Sequence, residues 1–128
     1  MSELKAGREL DALIAEKVMG WKRGPKRQYI EGENWLLPDG ASPHYREGAV
    51  GGLKAIIPSF STDIAAAFEV FEKLAEQFAD VGVHALSRGF WEAEIYDESK
   101  AEWIRASART APLAICLAAL KAVEVVHA

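Results

Sequence analysis

One cysteine, Cys116, is all that 128 residues provide, so no disulfide can close within the chain and no cluster of thiolates can hold a metal. Histidine is nearly as scarce. His44, His84 and His127 lie far apart, without the close spacing of zinc ligands, and neither a metal nor another cofactor is expected. A large excess of one charge is missing too: nineteen acidic against fifteen basic residues leave a formal charge of -4. That balance excludes general attraction to a phosphate backbone or an anionic membrane and argues against direct nucleic-acid binding. The first twenty residues lack an uninterrupted apolar run, because Glu3, Lys5, Arg8, Glu9, Asp11, Glu16 and Lys17 punctuate them. No signal peptide or membrane span can be drawn there, and the lone thiol fits a reducing cytoplasm. Also absent are a Walker-type glycine loop, paired histidines on a helix and a nucleophile elbow, so no motif points to catalysis.

What remains is an ordinary globular composition, half hydrophobic and 27% charged, at a length that suits one domain spanning residues 1–128. From Ser2 to about Met19, Leu10, Leu13, Ile14 and Val18 recur at helical spacing, and Gly20 is placed to stop the helix. Trp21 to Pro58 shows no helical period. Gly24-Pro25, Pro38-Asp39-Gly40, Ser42-Pro43 and Gly51-Gly52 divide it into turns, with short strands predicted at Gln28–Ile30, Asn34–Leu37 and Lys54–Ile57. Ser59 to Asp63 reads as a helix start, a hydroxyl capping free amides and Asp63 entering the first turn. The helix it opens carries Ile64, Phe68, Phe71, Leu74, Ala75 and Phe78 as its apolar stripe and is expected to end near Asp80 to Gly82.

Val83 to Tyr96 is enriched in aromatic and branched residues and reads as one strand, with Trp91, Ala93 and Ile95 alternating against Glu92, Glu94 and Tyr96. Trp103 to Ala106 supplies an antiparallel partner across a polar connection. Thr110-Ala111-Pro112 opens the last helix, which runs to about Val126 and is apolar on nearly every side, so it belongs inside the core. The fold class is therefore α+β: three helices and a short, mostly antiparallel sheet.

Three segments, Glu9 to Trp21, Pro58 to Ala67 and Thr110 to Ala122, together resemble the phage ABA sandwich domain family, small proteins of tailed phages and prophages. The resemblance implies an α/β/α sandwich and a viral origin, hence the host cytoplasm, and it brings no catalytic motif to carry over.

The candidate functional residues are charges beside rings. Lys22, Arg23, Lys26 and Arg27 crowd six positions between Trp21 and Tyr29, and cations next to aromatic faces suit phosphate and base recognition. Arg105 and Arg109 precede the last helix, whose free amides and Thr110 favour an anion. The hydroxyls of Ser61 and Thr62, at the start of the second helix, complete the candidate set. Against this stand plainer readings: a solvated turn for the basic quartet, core and interface anchors for Trp21, Trp35, Trp91 and Trp103, and an inert, packed Cys116.

The function these residues favour is a non-catalytic phage accessory protein that binds a small anionic, nucleotide-like ligand, such as a nucleotide signal of host defence, or else a host protein. A symmetric homo-oligomer is expected. The alternatives are a structural or regulatory protein-interaction module and a small phosphoester-acting enzyme using Asp63, His44 or His84.

Overall fold

The computed structural model describes residues 5–48 and 51–127 of the chain. Helix α1, Arg8–Lys17, buries Leu10 and Ile14 as its periodicity predicts, together with Ala15 and with Asp11, an acid that the same periodicity puts on the polar face; Ser2 to Leu4 lie outside the described residues. Gly20 closes it at φ +81°, a left-handed conformation that glycine adopts without a Cβ clash. The Trp21 N–H then donates back to the Ala15 carbonyl at 2.8 Å.

The loop-rich middle holds two small antiparallel ribbons. β1, Lys22–Arg23, pairs with β2, Trp35–Leu36, and β3, Tyr45–Glu47, pairs with β4, Leu53–Ala55. The strand expected at Gln28–Ile30 does not form. Ile30 closes a turn, its N–H donating to the Arg27 carbonyl, and makes a single parallel bridge with Leu53. Lys22–Arg23, expected in a turn, is instead extended, because Trp35 is 2% exposed and its buried backbone takes this segment as a hydrogen-bonding partner.

Helix α2, Ile64–Leu74, is capped by Asp63 itself, whose carboxylate accepts from the Ala65 N–H at 3.3 Å; no serine or threonine hydroxyl plays that part. Ala66, Ala67, Val70, Phe71 and Leu74 face the core, while Ile64 and Phe68 are 42% and 47% exposed. Of the predicted stripe, Phe71, Leu74 and Phe78 are buried as expected, whereas Ile64, Phe68 and Ala75 are exposed and Ala66 and Ala67 take the inward places in the first turns. The helix also stops earlier than expected. Tighter turns follow Leu74, with the Gln77 N–H donating to the Leu74 carbonyl, and a strand begins at Asp80.

The segment expected as one strand is two. β5, Asp80–Ala85, reverses through Ser87–Gly89 into β6, Trp91–Asp97, with Arg88 at φ 65° and Gly89 at φ 79° making the reversal. β6 then pairs with β7, Glu102–Ala108, in the predicted antiparallel hairpin, giving the strand order β5-β6-β7. Ala93, Ile95, Ile104, Ala106 and Ala108 fill the inner face of this sheet.

Helix α3, Ala111–His127, lies across that face, and α1 and α2 pack against it. Thr110 caps it, its hydroxyl oxygen accepting from the Leu113 N–H at 3.3 Å. Ala114, Ile115, Cys116, Ala118, Ala119 and Ala122 are fully buried, which is the all-round burial its composition predicts; the side chains of Val126 and His127 lie outside the described residues. Three helices and small antiparallel sheets make this a mixed α+β fold of the sandwich type.

Candidate functional site

Between the start of α1 and the two ribbons lies a cleft of about 570 Å³. Four cations line it, Arg8, Arg23, Arg46 and Lys54, together with the acids Asp11, Glu31 and Glu33 and the apolar Trp35, Ile56 and Ile57.

Arg23 is locked in place. Its Nε donates to Glu16 Oε2 at 2.9 Å, its other arm pairs with Glu33, and the guanidinium lies 4.9 Å from the centre of the Trp35 ring. Donating to the Glu16 carboxylate, and next to that of Glu33, raises its pKa above the ordinary arginine value. Trp21 meets Trp35 edge-on at 6.2 Å, and the ring that Arg23 stacks on comes from a later strand. Arg27 and Tyr29 stand in the exposed turn beyond β1, Tyr29 at 75% exposure.

The remaining three cations of the cleft are different. Among the described residues Arg8, Arg46 and Lys54 make no ion pair. Arg46 and Lys54 are direct cross-strand partners on the β3–β4 ribbon, an arrangement in which like charges repel and destabilise. Arg8 is the first residue of α1, where the helix dipole already presents positive charge and disfavours a cation. Two separate electrostatic conflicts therefore open onto one cleft, and an anion bound there would relieve both. On its far side Glu31 packs against Gly48 and Gly52, where a Cβ on Gly48 would collide with its carboxylate.

The other sequence-derived candidates sit elsewhere or are occupied. Ser61 is fully buried; its hydroxyl donates to Asp11 Oδ1 at 2.7 Å and accepts from the Gly7 N–H at 2.9 Å. Its own N–H donates to the same carboxylate oxygen at 2.8 Å, so this residue ties α1 to the approach to α2 and offers no surface to a ligand. Thr62 beside it is exposed. Arg105 Nε lies 3.4 Å from Glu94 Oε1 with its guanidinium over Trp103, whereas Arg109 stacks over Phe90 at 4.8 Å. Neither lines the cleft. Asp63 is a helix cap, and His84 faces Glu92 across β5 and β6 at 3.4 Å.

Of the four cations that line the cleft, the sequence singled out Arg23 and not Arg8, Arg46 or Lys54. The one signal for the latter pair was Gly51-Gly52, a turn that, taken as a hairpin, would have set Arg46 opposite Lys54.

The family model described as the phage ABA sandwich domain matches residues 12–120. A crystal structure of a phage protein from Bacillus cereus ATCC 14579 aligns over 97% of this chain and 92% of its own, with a TM-score of 0.62 and 23% identity. At that identity the likeness is one of fold. No curated protein matches the chain.

Proposed function

The chain belongs to the phage ABA sandwich domain family, and from its cleft we propose that it is a binding protein for a small, multiply charged anion of nucleotide type. The observation that carries this reading is the opposition of Arg46 and Lys54, with Arg8 beside them on the same cleft and no acid paired to any of the three among the described residues. Phosphate oxygens would take the place of the missing counter-charges. The apolar Ile56 and Ile57 give the uncharged part of the ligand a surface, and the cleft volume of about 570 Å³ lies within the usual range of roughly 300–1,000 Å³ for small-molecule sites. Held without turnover, a nucleotide signal of host defence would be sequestered.

A thermal-shift series on the whole chain with mono-, di- and cyclic nucleotides and inorganic phosphate, with the mass of the released ligand determined, tests the reading. The expected result is a raised melting temperature, an intact ligand, and loss of the shift in the Arg46→Glu and Lys54→Glu variants. Silence across the panel, or a shift that both variants retain, sinks it.

A second reading has its own observation. Ile64 and Phe68 lie one turn apart on the outer side of α2, each more than two-fifths exposed, and a protein partner or a second copy of the chain would bury them. Light scattering of the wild type and of Phe68→Glu distinguishes self-association from a free face.

A further inference from the structure

Cross-strand register places three metal-ligating side chains together on the outer face of the three-stranded sheet. His84 on β5 is the direct partner of Glu92 on β6, and Glu94 follows two residues along the same face. One donor atom from each of the three lies within 4.8 Å of the others. From this geometry we infer that His84, Glu92 and Glu94 form a binding site for a zinc-like divalent transition-metal ion, a site that shares no residue with the cleft.

Donor spacing is the first argument. A metal held at roughly 2.0–2.2 Å from nitrogen and oxygen ligands sets neighbouring tetrahedral donors about 3.3–3.6 Å apart. His84 Nε2 and Glu92 Oε1 are 3.4 Å apart, so this edge of a tetrahedron is already in place. The second argument is access. Glu94 lies opposite Gly82, and nothing stands within 4 Å of the point where a Cβ on that glycine would project. The backbone thus leaves open space above the third ligand, where a water or an incoming oxygen can complete the coordination, as three-ligand zinc sites require. Third, the two carboxylates are half-buried in the sheet, with side chains 25% and 26% exposed, so their motion is limited and His84, at 49%, is the ligand left for a metal to order. One imidazole with two carboxylates is a mixed nitrogen and oxygen set that suits zinc better than magnesium, which prefers oxygen alone and keeps its waters.

One neighbour opposes the ion. Arg105 Nε reaches Glu94 Oε1 at 3.4 Å while stacking on Trp103 at 5.5 Å, so it competes for the third ligand and places positive charge nearby. Removing it should therefore improve metal binding, a response that a purely structural ion pair would not give.

The experiment is zinc titration of the full chain by calorimetry, with cobalt absorption as a report of geometry and circular dichroism to confirm that each variant is folded. Expected are one zinc per chain, a tetrahedral cobalt spectrum, at least a tenfold weakening in His84→Ala and in Glu92→Gln, a several-fold tightening in Arg105→Gln, and no change in His44→Ala. Zinc affinities of His84→Ala and Glu92→Gln within twofold of wild type, or a weak octahedral cobalt spectrum, would overturn the assignment.

Discussion

Arg46 and Lys54 face one another directly across the β3–β4 ribbon, with no acid paired to either among the described residues. A directly opposed pair of this kind contributes roughly 0.2–1 kcal/mol when the signs differ and is destabilising when they match. The Lys54→Glu variant should consequently melt slightly higher than wild type when no ligand is present. It should also lose any stabilisation by phosphate-bearing ligands. Opposite signs of the two effects, read in one thermal-shift plate, mark a site kept at a cost to the free protein.

Asp11 and Ser61 form the tie between α1 and the start of α2. Replacing Asp11 by alanine leaves the buried Ser61 N–H without its acceptor, and an unsatisfied buried donor costs about 1–3 kcal/mol. Ser61→Ala removes only the hydroxyl bonds and keeps the backbone one, so its loss should be smaller, on the order of 1 kcal/mol. Urea unfolding midpoints of the two variants rank them, and equal midpoints would contradict the arrangement.

Cys116 is fully buried, and burial, with a further contribution from Asp11, lifts its thiol from an ordinary 9.0 to about 12. A thiol harder to ionise in the folded state than in the unfolded one stabilises the fold below the unfolded value, and that contribution fades as pH climbs toward the folded one. Stability should therefore fall between pH 9.0 and about 12, by at most about 1.4 kcal/mol per pH unit from this group. The Cys116→Ala variant should lose that part of the alkaline slope. At pH 8 the native thiol should resist alkylation until the chain unfolds, which a timed mass measurement with and without denaturant reports.

Ala114, Ala118 and Ala122 recur every fourth residue on α3 and are all fully buried. Each is enclosed in a packed core, where added side-chain volume forces its neighbours to shift. Ala118→Leu should cost about 1–3 kcal/mol through overpacking, whereas Ile115→Ala, opening a cavity in the same helix, should cost roughly 2–5 kcal/mol. Calorimetric melting of the pair checks both figures.

Some of this was readable in order along the chain. α3 was legible because its apolar residues leave no polar side, and β6 with β7 because alternation persists on both sides of a polar turn. The extra strand β5 was not, since Val83 and Trp91 look continuous when composition alone is read, and only the left-handed Arg88 and Gly89 separate them. In α2, Phe71 and Leu74 were read correctly, but Ile64 and Phe68 misled: they carry more apolar surface than Ala66 and Ala67, yet the first turns of the helix put the alanines inward. At the cleft, Arg23 could be picked out by its neighbours in sequence. Its aromatic partner Trp35 could not, and neither could the meeting of Arg8, Arg46 and Lys54.

Local periodicity depends on residues within a turn or two of each other, and so the chain's own order determined the three helices, the buried status of the last one and the antiparallel hairpin. Which cations meet, which serine is enclosed and which histidine faces two glutamates depend on strand register and helix docking, interactions between segments dozens of residues apart. Tertiary structure alone decided those, because long-range pairing is selected by the burial of side chains such as Trp35 and Ile95 that the polar groups merely accompany.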